Sequence, residues 1–185
     1  MNLKKYRRNN RNDNSAANQL TNVLFLIYLV ALLWILVFKL GVRFSYMGKR
    51  SVNLIPFSEP LILNGKIDFG EMILNAVIFV PLGIYAGILF KRWTFGKNVF
   101  LFFFISLMCE GLQFILRIGA FDVTDVITNT LGGIIGLLIF KAIEKVFKNN
   151  VKAQKFINII AVLGTVLMIL LLLLLKLNML PIRYK

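Results

Sequence analysis

The sequence predicts an all-α fold, a polytopic transmembrane helical bundle of about five spans, and three observations lead there. Apolar residues make up 58% of the 185. They come in long blocks and not as alternating faces, the pattern of a chain solvated by lipid. Five of the blocks, residues 20–40, 71–90, 97–116, 122–140 and 156–175, are long enough as helices to cross a hydrocarbon core of about 30 Å.

Residues 1–19, rich in Asn, Arg and Lys, read as a basic, disordered cytoplasmic tail. The 20–40 block follows it. Its apolar run is longer than a signal-peptide core and no small-residue cleavage pattern follows, so it is expected to stay as the first transmembrane helix. Residues 41–150 form the central membrane domain, with a long outer loop at 41–70 and helices at 71–90, 97–116 and 122–140. Within the loop, "SVNLIPFSEPLIL" mixes prolines and apolar residues too densely for a solvated linker, and is expected on the outer membrane surface or folded back over the helices. "KRWTFGK" and "RIGAF" read as short inner and outer turns. Residues 151–185 supply a C-terminal transmembrane helix and tail, whose apolar run suggests a lipid-facing, structural role.

Charge sets the expected orientation. With the N-terminus in the cytoplasm, thirteen of the 22 basic residues and two of the eight acids fall inside. That asymmetry follows the positive-inside rule and leaves the C-terminus extracytoplasmic. The net charge of +14 then reflects topology and attraction to anionic lipid headgroups, with no basic, aromatic-interleaved surface to indicate nucleic acid. A single cysteine, Cys109, and the absence of histidine exclude thiolate clusters, zinc sites and histidine-base chemistry. Any chemistry falls to carboxylates, amides, hydroxyls, Arg or Lys. No resident cofactor is expected, although the carboxylates allow a divalent cation.

One segment breaks the apolar pattern. In "CEGLQFILRIGAFDVTDVITNTLGG", Phe103, Ser106, Glu110, Gln113 and Arg117 are spaced 3, 4, 3 and 4 as a stripe on the third helix. Asp122, Asp125, Asn129, Gly132 and Gly136 repeat those steps on the fourth. A short connection makes the two helices antiparallel neighbours. Equal depth then pairs 117 with 122, 113 with 125, 110 with 129, 106 with 132, and 103 with 136. Arg117 is therefore expected beside Asp122 or Asp125, with Glu110 opposite Asn129 roughly 10 Å deeper. Gly132, Gly133 and Gly136 read as packing residues of a GxxxG-like face, and a second small pair, Gly83 and Gly87, follows Pro81 on the second helix. These faces suit internal packing or a homo-oligomer. Asn75 on the second helix joins the polar set.

An ionised group at bilayer depth costs on the order of 3 kcal/mol and must face protein or a wet cavity. Two roles fit the set, a polar lock for the bundle or a cavity open to the outer face. "FDVTDV" likewise reads both as a helix cap, with Asp122 at the N-cap and Asp125 reaching back, and as part of a site lining. The inner halves of all five segments look almost wholly apolar, which closes the cavity at the cytoplasmic end and disfavours a transporter.

These residues resemble the VanZ family of bacterial membrane proteins over about residues 51–140. Asn53, Pro56 and Phe57 match a first motif, Asn75, Pro81 and Gly83 a second, and Ser106, Glu110, Gln113, Arg117, Asp122, Asp125, Asn129 and Gly133 a third. The resemblance implies a protein of the Gram-positive cytoplasmic membrane. It also implies a link to resistance against the lipoglycopeptide antibiotic teicoplanin. Two functions remain open. In one, Asn53, Asn75, Glu110, Gln113, Arg117, Asp122, Asp125 and Asn129 bind a lipid headgroup, a lipoglycopeptide or a lipid-linked wall precursor. In the other, a membrane-embedded enzyme uses Glu110 as acid or base, with Asp122 and Asp125 holding a cation against phosphate.

Overall fold

The computed structural model describes residues 3–38, 52–57, 61–63, 66–117 and 119–176. It is all-α in character, with helices α1 (Leu3–Phe38), α2 (Gly70–Leu89), α3 (Phe95–Leu116), α4 (Val123–Phe147) and α5 (Asn150–Lys176). Each contains a stretch long and apolar enough to span a membrane: Ser15–Leu36, Gly70–Leu89, Phe95–Leu116, Val123–Phe147 and Asn150–Leu170. Where a disordered tail is expected, α1 is already helical from Leu3. Among the described residues four short strands lie between the helices: β1 (Val52–Asn53), β2 (Leu61–Leu63), β3 (Lys66–Asp68) and β4 (Phe121–Asp122). β2 and β3 form an antiparallel hairpin, whereas β1 pairs in parallel with β4. The chain divides into two compact units, Leu29–Val146 and the terminal pair Met1–Tyr28 with Phe147–Lys185.

In the Leu29–Val146 unit, glycine sets the distance between helices. A Cβ on Gly132 would overlap the Ala76 carbonyl, and one on Gly136 the Val80 carbonyl. Both contacts advance four residues in the same direction, so α2 and α4 run parallel, backbone against backbone. Gly83 completes the seam against the Gly133 carbonyl. Around α4, Gly133 faces the Phe102 ring of α3, which is fully buried. The expectation that Gly132 and Gly136 lie opposite Ser106 is thus corrected. Successive helical residues are 100° apart, so α4 offers one glycine face to α2 and another to α3. Both serve internal packing.

Local signals explain the ends of α3. Thr94 caps its start, accepting from the Lys97 N–H at 3.4 Å. It ends at Arg117, whose φ of 58° and ψ of 33° are left-handed and stop the helix. The Phe90 and Trp93 rings stack at 4.3 Å in the turn before α3.

The terminal unit pairs α1 with α5 through buried polar groups. Thr21 donates to Asn158 Oδ1 at 2.9 Å and accepts from Gln154 Nε2 at 2.8 Å. Asn158 Nδ2 donates to the Ala17 carbonyl at 3.1 Å, and Gln154 Nε2 also reaches Asn18 Oδ1 at 3.0 Å. Interhelical hydrogen bonds of this kind hold apolar helices together where lipid offers no hydrophobic drive. The sequence does not single these residues out. These residues are neutral and lie more than 130 positions apart, so no local window groups them. The available signal was their spacing, three between Asn18 and Thr21 and four between Gln154 and Asn158, one helical face on each side.

Candidate functional site

The turn between α3 and α4 does not simply cap the hairpin. After Arg117 the chain folds back beside α3, so the Asp122 N–H donates to Glu110 Oε2 at 3.2 Å. Glu110 lies six residues before the end of α3 yet meets the residue that starts α4. Asp122 is the N-cap of α4, its Oδ1 accepting from the Thr124 N–H at 2.7 Å. Of the two roles open for "FDVTDV", capping by Asp122 is therefore observed. The group reaching back to the cap N–H comes from another helix, Glu110, and satisfies a donor that a helix start leaves orphaned.

The "NLIPF" segment closes over this helix start. β1 pairs with β4, aligning Asn53 with Asp122, and Asn53 Nδ2 donates to Asp122 Oδ2 at 3.3 Å. Asn53 Oδ1 turns the strap by accepting from the Ile55 N–H at 3.2 Å. The Phe57 N–H then donates to Thr124 Oγ1 at 3.1 Å. Residues 52–57 thus fold back over the helices, one of the two expected placements. The rest of the expected "SVNLIPFSEPLIL" surface includes Ser51 and residues 58–60, which lie outside the described residues. Thr124 was not anticipated from the sequence; its position two residues after the cap was the signal available.

Below the turn the α3–α4 seam continues, one helical turn out of the expected register. Asn129 Nδ2 donates to Ser106 Oγ at 2.9 Å, where Glu110 was expected, and Gly133 meets Phe102. The expected seam member Phe103 is 43% exposed. Because the turn folds back into the bundle, α4 starts deeper than a minimal hairpin allows, and every pairing shifts by about four residues. Residues 102, 106, 109 and 113 have the same 4, 3, 4 spacing as a stripe, so sequence alone cannot choose between the two.

Arg117 corrects a second expectation. It is exposed at the C-cap of α3, and among the described residues no ion pair joins it to Asp122 or Asp125. Its left-handed backbone turns it away from the stripe. Gln113 instead ties α3 to α1, Nε2 donating to the Leu36 carbonyl at 2.7 Å. The first helix, which carried no motif, therefore contributes to the site. Asp125 and Asn75 are both buried, Asp125 in the first turn of α4 and Asn75 in the second turn of α2. Gln113 Oε1 and Asn129 Oδ1 are buried without a hydrogen-bond partner. No group of three or more acidic or cysteine side chains is placed to hold a metal among the described residues.

The structure therefore brings Asn53, Glu110, Asp122 and Thr124 into one hydrogen-bonded knot, continues it through Ser106 and Asn129, and leaves Arg117 at the rim. Comparisons with known proteins give the family. The VanZ/LLP1 family model matches residues 25–148, a range that begins inside α1 and ends just past α4. The chain is 38% identical over 157 residues to Protein VanZ of Enterococcus faecium, covering 83% of this chain and 91% of that protein. No solved structure matches. With five candidate spans and a match across most of its length, the chain is a multi-pass membrane protein that belongs to the VanZ/LLP1 family.

Proposed function

We propose that this VanZ-like protein holds the polar head of an amphiphile, a lipid headgroup or a teicoplanin-type lipoglycopeptide, in the α3–α4 seam opening to the cell exterior. The observation that carries the reading is the pair of buried acceptors without partners, Gln113 Oε1 and Asn129 Oδ1. A buried acceptor left unmade costs about 1–3 kcal/mol, and a ligand hydroxyl or amine relieves that cost. Sugar hydroxyls and amines are donors of this kind, and a lipid-linked wall precursor presents them at the same membrane depth. Arg117 at the rim suits a carboxylate or phosphate on the same head. Such retention of drug at the membrane would contribute to glycopeptide resistance.

Binding is favoured over catalysis by what Asp122 already does. One of its oxygens caps α4 and the other accepts from Asn53, so a cation or proton would compete with the fold. Native mass spectrometry of the full chain extracted with its own lipids, followed by titration with teicoplanin, tests the proposal. A retained one-to-one adduct is expected. Gln113→Met and Arg117→Ala should each weaken it about tenfold, the equivalent of roughly 1.4 kcal/mol. Association unchanged in both variants would overturn the reading.

A further inference from the structure

We propose that the strap at residues 52–57 is a re-entrant lipid contact: its exposed apolar side chains sit among the acyl chains of the leaflet at the α3–α4 turn, and lipid holds it against the start of α4. Leu54, Ile55 and Phe57 are 66%, 68% and 54% exposed, and Pro56 between them is exposed as well. Four consecutive apolar residues in the open mark a membrane or protein contact.

The strap has two sides. Its polar groups turn inward: Asn53 Nδ2 donates to Asp122 Oδ2 and the Phe57 N–H to Thr124 Oγ1, while Asn53 Oδ1 takes the Ile55 N–H. Pro56 has no N–H to satisfy. Two backbone donors are thus withdrawn and a third is absent on a surface where lipid would leave them unpaired. Phe57 holds a left-handed φ of 58°, which bulky residues seldom adopt. With that backbone its N–H reaches Thr124 while the ring stays outside.

Depth names the partner. The Asp122 N–H meets Glu110 Oε2, and β1 aligns Asn53 with Asp122, so the strap lies level with Glu110. Six residues of α3 continue past that level to Leu116, roughly 9 Å at 1.5 Å per residue, and the last two, Ile115 and Leu116, are themselves exposed and apolar. In the other direction Lys141, the first basic residue along α4, lies 19 residues beyond Asp122, roughly 28 Å away along the helix. A hydrocarbon core is about 30 Å thick. The strap therefore sits at the edge of that core, where apolar side chains reach acyl chains and backbone carbonyls reach headgroup water. A partner in the aqueous phase would meet the protein above this level.

Spin labelling of the full chain in phosphatidylcholine–phosphatidylglycerol vesicles tests this, with Cys109→Ser as background. A label at Ile55→Cys should collide with oxygen more than with a water-soluble nickel chelate. The ratio should fall between those at Phe104→Cys, exposed midway along α3, and Arg117→Cys at the rim. In a second measurement, Leu54→Asn with Ile55→Asn removes apolar surface at exposed positions and leaves Asn53, Asp122 and Thr124 in place. Amide exchange at Phe57 in the same vesicles should then rise several-fold. Nickel access at position 55 equal to that at 117 overturns the proposal. So does exclusion of both reagents, which would show that the chain itself or a second copy covers the strap, and so does unchanged exchange in the asparagine pair. No ligand of the α3–α4 seam enters either measurement, so the outcome is independent of the proposed function.

Discussion

At the scale of the residue, single atoms decide whether helices can touch. Gly136 has no side chain because the Val80 carbonyl occupies the place of a Cβ, and a backbone carbonyl cannot swing aside. Gly111, on the same bundle, has open space around its missing Cβ. Gly136→Ala is therefore expected to lower stability by about 1–3 kcal/mol, as overpacking does, or more if α2 must separate from α4. Gly111→Ala is expected to leave stability unchanged or raise it by up to about 1 kcal/mol through helix propensity. Thermal unfolding of the two variants in the same detergent checks the contrast, and an equal loss in both would refute it. The sequence showed that Gly132, Gly133 and Gly136 pack; it did not show against what, because a glycine's partner lies on another helix. Phe102 and Phe103 make the same point in reverse. Adjacent and chemically identical, one is fully buried and the other faces outward, and only the register of α4 separates them.

At the scale of the element, the start of α4 is a joint held by three segments. Asp122 caps the helix, Glu110 holds the cap from α3, and the strap at 52–57 is latched by Asn53 and by Thr124. Asp122→Ala removes the cap and the acceptor for Asn53 together, with an expected cost of about 1 kcal/mol or somewhat more. Amide exchange should then accelerate at Ile55 and Phe57 as the strap loosens. Asp122→Asn retains an oxygen for capping and should preserve most of the protection. Exchange in the strap equal to the parent's in Asp122→Ala would show that the latch does not depend on this carboxylate. The cap itself was legible in "FDVTDV", since capping is a local property of a few consecutive residues. The contribution of Glu110 was not, because it depends on a turn that re-enters the bundle.

At the scale of the whole molecule, orientation remains the expectation drawn from charge. Asymmetric lysine and arginine content puts the N-terminus and the 91–94 turn in the cytoplasm, and the 117–122 turn outside. With Cys109→Ser as background, a cysteine at Arg117 should react with a membrane-impermeant reagent on intact cells. One at Arg92 should react only after permeabilisation. The reverse pattern would turn the proposed site toward the cytoplasm and remove its access to an extracellular drug.

Hydropathy and helical period are properties of neighbouring residues, so the sequence by itself determined that five helices span the membrane, that α3 and α4 are adjacent, and which polar side chains lie along them. The tertiary structure alone decided the register between those helices, the role of α1 in the site, the outward place of Arg117, and the polar lock between α1 and α5. A slip of one helical turn preserves every 3–4 spacing, so the pattern in the chain is degenerate. Close backbone contact at glycine and the fold-back of one turn remove that degeneracy, and both arise only when segments distant in sequence meet.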